Sequence, residues 1–171
     1  MELGRELVDR GLRLVYGGAN RGLMTVVADT VLAAGGHVTG VIPQGLVEKE
    51  VAHSGLTDLR VVDSMHERKA LMADLADGFI ALPGGMGTLE ELCEMLTWAQ
   101  LGLHSKPCGL LDVCDYFADL KRFFARMVEE RFLKTEHGRL LLSAADPGQL
   151  LDMFEQHKPV ALPKWIDPSG T

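Results

Sequence analysis

Two short stretches of this chain carry residue types that could grip an anion and set a carboxylate beside it. The first is Ser64-Met65-His66-Glu67-Arg68-Lys69, which places two adjacent cations in an otherwise acidic protein. A guanidinium is the planar donor suited to a phosphate or to a ligand oxygen. Neighbouring helical residues point about 100° apart, so Arg68 and Lys69 cannot share one direction, and one faces a site while the other supports it. A solvated helix with local pairs such as Lys69 to Asp74 is the plainer reading of the same residues. The second stretch is Pro83-Gly84-Gly85-Met86-Gly87-Thr88-Leu89-Glu90-Glu91. Three glycines let the backbone approach a ligand, and the first amides of a following helix have no intrahelical acceptor, so an anion there is hydrogen-bonded and favoured by the helix dipole. Thr88 adds a hydroxyl. Glycines alone are equally compatible with close packing, and Glu90 and Glu91 also suit a helix start for its own sake. Glu91 stands beside the apolar stripe of Leu92 and Met95 and is expected to face a cleft; Glu90 is expected in solvent.

Other candidates are weaker. Lys49, Glu50 and His53 form a polar cluster in a loop, where most charges are simply hydrated. Thr97, further along the helix that carries Glu91, reads as a small residue in a helix contact. Cys93, Cys108 and Cys114 make no CxxC pair and are read as reduced, buried thiols. The six histidines lack any ligand spacing, so no metal is expected.

The elements that position these residues follow a repeated pattern. Residues 78–82 form an apolar run of strand length. After the glycines, Leu89, Leu92, Met95, Leu96 and Ala99 recur at helical spacing from Thr88 onward. Residues 12–16 and Gly17-Gly18-Ala19-Asn20-Arg21-Gly22 repeat the pattern, leading to a helix with Leu23, Met24, Val27 and Val31. A helix over residues 1–10 is closed by Gly11. Further strands are expected at 37–42, 59–62, 107–112 and near 140–142. Ser64 caps a helix to Ala76 with Glu67 in the capping-box position; residues 116–132 and 147–156 are helices, the last capped by Asp146, and the tail around 162–165 is extended. Such alternation predicts an α/β fold, a doubly wound, Rossmann-like and mostly parallel sheet with helices on both faces, in a single domain over 1–171. Ligands bind such sheets at the carboxyl ends of the strands, where both glycine turns lie.

A length of 171 residues suits one domain, and 47% hydrophobic with 24% charged residues suits an ordinary globular protein. The net charge of −7 opposes sequence-independent binding to nucleic acid or anionic membrane. No apolar run approaches the roughly 20 residues of a membrane span and no signal peptide is visible, so a cytoplasmic location is expected. Neither glycine turn gives GxGxxG with a following acidic residue, which disfavours a dinucleotide dehydrogenase.

These residues resemble a known family. Residues 83–91 match PGGxGTxxE, residues 65–69 match its companion MHxRK, and Tyr16-Gly17-Gly18 with Gly22-Leu23-Met24 and Glu50-Val51-Ala52-His53 add to a likeness running from about residue 3 to 165. The pattern resembles the Lonely Guy family of cytokinin riboside 5′-monophosphate phosphoribohydrolases, older members of which were labelled lysine decarboxylases. The resemblance implies hydrolysis of the N-glycosidic bond of a purine nucleoside 5′-monophosphate, without metal or organic cofactor, by a dimer. It puts Arg68 and Glu91 in the catalytic places and Gly85, Met86, Gly87 and Thr88 in the phosphate loop, with Glu50, Lys69, Glu90 and Thr97 lining the substrate site. In that scheme Glu91 stabilises an oxocarbenium-like ribose and Arg68, always protonated, holds substrate and Glu91 in register. A decarboxylase would need a Schiff-base lysine, and none is singled out. A nucleotide-binding or carrier protein on the same scaffold would keep the glycine loop but need no Arg–Glu pair. Family members usually begin with one more strand and a Gly-Ser-Ser type turn ahead of the helix equivalent to residues 1–10; either the start lies upstream of Met1, which is the expectation, or a form lacking that strand is impaired or rearranged. The family's triple glycine is Gly17-Gly18-Ala19 here.

Overall fold

The computed structural model describes residues 2–47 and 52–159 and divides the chain into two compact α/β units, Met1–Ala76 and Asp77–Thr171. The extended tail expected near 162–165 lies outside the described residues. Each unit is built from strand–turn–helix repeats around a three-stranded parallel sheet.

In the first unit, α1 (Glu2–Asp9) buries Leu3 and Leu7. Its end is a Schellman turn: Leu12 N–H reaches the Leu7 carbonyl and Gly11 N–H that of Val8, with Gly11 in the left-handed region at φ 68°. β1 (Leu14–Tyr16) leads through the first glycine turn to α2 (Gly22–Ala33), which buries Val27, Ala28 and Val31 while Leu23 and Met24 stay exposed. β2 (Val38–Pro43) is buried along its whole length, and β3 (Asp58–Val62) follows the four-residue helix α3 (Gln44–Val47). The order is β1-β2-β3, with Leu14 opposite Val38 and Thr39 opposite Asp58. α4 (Met65–Leu75) starts at Ser64, whose Oγ accepts from Glu67 N–H at 3.1 Å. Glu67 returns a carboxylate to Asp63 N–H rather than to Ser64, so the capping box is displaced by one residue.

In the second unit, β4 (Phe79–Ala81) precedes α5 (Met86–Leu101), and β5 (Cys108–Leu111), buried throughout, pairs with β4 on one flank and β6 (Leu141–Ala144) on the other. A 3-10 turn (Val113–Asp115) joins β5 to α6 (Ala118–Glu129); α7 (Thr135–Gly138) and α8 (Pro147–Glu155) complete the unit. Asp146 caps α8 as expected, accepting from Gln149 N–H at 2.8 Å.

The α/β class and parallel strands agree with the sequence reading, but the strands form two ladders rather than one. Among the described residues β1 and β4, three-residue strands, each pair with one strand, and no strand precedes α1. α5 begins at Met86, two residues before the expected start, with Gly85 as its N-cap; α3 and α7, one turn each, carry too little periodicity to be visible in the sequence. The cysteines also depart from expectation. Only Cys108, on β5, is buried, and burial pushes its thiol up to about 12; Cys93 and Cys114 are exposed, one on the outer face of α5 and one in the 3-10 turn.

Candidate active site

Arg68 is held by three elements of the first unit. It lies on the second turn of α4, half-buried, where the spacing from the Ser64 cap turns its side chain toward the carboxyl ends of β1 and β2. Its Nε donates to the Val41 carbonyl at 3.2 Å and its Nη1 approaches Met65 Sδ at 3.8 Å. The guanidinium also rests on Gly17, just past the end of β1, so closely that a Cβ on Gly17 would overlap Nη2. The sequence marks Gly17 only as a turn residue. Its role as the seat of Arg68 becomes visible only with the fold, because the two positions are 51 residues apart (68 − 17). Gly18 has the other reason to be glycine, a φ of 73°.

Lys69 is half-buried on the same turn of α4. His53 N–H bonds the Gly18 carbonyl at 3.1 Å. The His53 ring then receives Gly55 N–H on Nδ1 and places Nε2 2.9 Å from the Asp29 carboxylate. An acceptor Nδ1 requires the proton on Nε2, so the imidazole donates to Asp29. Beside this pair the Tyr16 hydroxyl is buried without a partner, and burial, followed by the charge of Asp29, pushes it up to about 12. Glu50, with Lys49 and Val51, lies outside the described residues.

In the second unit the glycine loop opens α5 as expected. Leu89 N–H is bonded to the Gly85 carbonyl at 3.2 Å, so the amides of Met86, Gly87 and Thr88 precede the intrahelical ladder and have no acceptor within it. A Cβ on Gly85 or Gly87 would meet nothing within 4 Å, and Met86 is 81% exposed, so the helix start is open to an incoming group. Gly84 differs: a Cβ there would overlap the Thr88 hydroxyl, which folds back over it. Glu91 is half-buried and Glu90 exposed, the division expected from the apolar stripe of Leu92, Met95 and Leu96. Thr97 is exposed, not packed in a helix contact, and donates to the Cys93 carbonyl at 2.7 Å. It stands nine residues beyond Thr88 (97 − 88), about 14 Å along the helix axis.

Sequence reasoning passed over one residue that bonds to this loop. Tyr116, more than half exposed, donates its hydroxyl to the Gly84 carbonyl at 2.8 Å. A lone tyrosine 32 positions downstream gives no signal in the sequence.

Both stretches therefore present what a phosphorylated ligand needs: an anchored guanidinium in one unit, and in the other an open helix start with a half-buried carboxylate one turn on. Comparison with known proteins agrees. The family model described as "possible lysine decarboxylase" matches residues 24–154. A probable cytokinin riboside 5′-monophosphate phosphoribohydrolase of Oryza sativa subsp. japonica is 50% identical over 94% of this chain and 70% of its own length. The rice protein named cytokinin riboside 5′-monophosphate phosphoribohydrolase LOG is 48% identical over 93% of this chain and 66% of its own. Among solved structures, the molybdenum cofactor binding protein of Rippkaea orientalis and the molybdenum cofactor carrier protein of Chlamydomonas reinhardtii each superpose with a TM-score of 0.67 over 91% of this chain, and over 83% and 82% of their own; at 20% and 22% identity they show a shared fold. With both motifs in place and relatives this similar along nearly all of its length, the chain belongs to the Lonely Guy family of cytokinin riboside 5′-monophosphate phosphoribohydrolases.

Proposed function

We propose that this chain hydrolyses the N-glycosidic bond of a purine nucleoside 5′-monophosphate, AMP or an N6-modified cytokinin nucleotide, to the free base and ribose 5-phosphate. The observation that carries the reading is the presence of both Arg68 and Glu91 in a chain about half identical to enzymes of that name. In this mechanism the open amides at Gly85–Thr88 take the 5′-phosphate; Lys69, Glu50, Glu90 and Thr97 keep the substrate-binding roles that the family likeness implies for them. Water adds its oxygen to C1′ as the bond from C1′ to the base nitrogen breaks, and the base leaves with a proton. Positive charge gathers on the ribose on the way, and the Glu91 carboxylate stabilises it or orients the water. Arg68 stays protonated throughout and serves as a grip on ligand oxygens, not as a base. The protein acts as a homodimer in the cytoplasm.

Binding energy from the phosphate positions the sugar, so a plain nucleoside is a poor substrate. The test is release of free base from AMP, N6-isopentenyl-AMP and adenosine by the chain and its Glu91→Gln variant. Release from the monophosphates alone, lost by at least a hundredfold in the variant, is expected; a carboxylate at the reacting sugar contributes on this scale. Equal turnover of adenosine and AMP would sink the phosphate-driven mechanism. The likeness to cofactor carriers supports a second reading, binding without cleavage, at the level of fold only. Monophosphate bound with no base released would favour it.

A further inference from the structure

We propose that Tyr116 is a positioning residue for the phosphate loop, acting through the Gly84–Gly85 peptide; this rests on the reading of Gly85–Thr88 as the phosphate site. Three of the four loop amides, those of Met86, Gly87 and Thr88, belong to α5 and take their direction from the helix. Gly85 N–H does not. It belongs to a peptide with a glycine on either side, where rotation about the flanking bonds meets little steric resistance. In a trans peptide the C=O and N–H point in opposite directions. A hydrogen bond that fixes the Gly84 carbonyl therefore fixes the Gly85 donor on the other side, and Tyr116 supplies it at 2.8 Å.

The support behind Tyr116 is built for placement. Asp112, at the end of β5 and only 3% exposed, accepts Phe117 N–H on one oxygen at 2.7 Å and holds Lys121 Nζ on the other at 2.5 Å. Burial works against the charged carboxylate, but the bonds from Lys121 and Phe117 outweigh it and hold Asp112 below its ordinary value. Between these anchors Cys114 and Asp115 both take φ 55°, a left-handed backbone that side-chain-bearing residues rarely adopt. Strain of this kind persists where the surroundings over-determine it. Its effect here is to bring Tyr116 back over the loop, its ring set edge-on to the buried Phe117 with centroids 5.0 Å apart.

The experiment is calorimetric titration of AMP, inorganic phosphate and adenosine into the chain and into Tyr116→Phe, which removes one oxygen and keeps the ring. Because the tyrosine is exposed, water competes for the same carbonyl, and a loss of roughly three- to tenfold in affinity for AMP and phosphate is expected, with adenosine unchanged. Unchanged AMP affinity in the variant would overturn the proposal. So would an equal loss for AMP and adenosine, which is the mark of a merely structural residue or of a variant that no longer folds. Base release from AMP by the unsubstituted chain is assayed separately: if AMP binds through its phosphate and no base appears, the hydrolase reading fails while the affinities still decide the role of Tyr116.

Discussion

Arg68 shows how a cationic side chain can be fixed by what its neighbour lacks. Gly17 gives the guanidinium a flat seat, and the Val41 carbonyl gives Nε an acceptor. A methyl group at position 17 occupies the space of Nη2, so Gly17→Ala must push Arg68 off its place although residue 17 need not touch any ligand. A hydrogen bond to a charged group is worth about 1.5–3 kcal/mol. Gly17→Ala is therefore expected to lower kcat/KM for the monophosphate by about 10- to 100-fold, approaching the loss in Arg68→Ala, with Arg68→Ala and the double variant nearly alike. Additive losses in the double variant would show that the two positions act independently. The cation itself was legible in the sequence through its MHxRK setting. Its seat was not, because only the parallel register of β1 and β2 brings positions 17 and 41 beneath position 68.

At the level of elements, the sequence was most informative where a rule has a local cause. Ser64 and Asp146 announce helix starts because their side chains bond the amide three residues on, and Gly11 announces an end because the left-handed turn there suits glycine. The start of α5 was read two residues late because Met86 and Gly87 stand inside the glycine run, which reads as a turn. His104 is a cause the sequence hid. Past the end of α5 its Nε2 bonds the Met95 carbonyl at 2.8 Å, its Nδ1 receives Lys106 N–H at 3.1 Å, and its ring lies 5.3 Å from that of Phe79. Burial lowers its pKa below 6.5, and the charge of Lys106 adds to this, although the bond to Met95 opposes. The folded chain thus binds fewer protons at this site than the unfolded chain, and stability rises with pH. The contribution is fully present above 6.5 and is lost as pH falls below it toward the folded value. Denaturant midpoints at pH 7.5 and 5.5 are expected to drop more for the native chain than for His104→Gln; an equal drop would remove His104 as the cause.

On the scale of the molecule, each unit is organised by one wholly buried strand, β2 in the first and β5 in the second, with a partner on either flank. Among the described residues β1 and β4 are short and each pairs with one strand. Native-state hydrogen exchange is accordingly expected to be slowest for β2 and β5, with β1 and β4 exchanging faster by at least tenfold, since edge amides open without disrupting a core. Uniform protection across each sheet would contradict this ranking. The parallel α/β character could be read from the alternation of apolar runs and glycine turns. Its division into two ladders could not, since strand pairing is a property of partners and not of any one segment. The bare backbone at position 17 has a last consequence beyond this chain. A glycine there is the imprint of the arginine above it, so in an unfamiliar relative any bulkier residue at that position signals a displaced guanidinium. A single position in the text then reports whether the cation of α4 keeps its place.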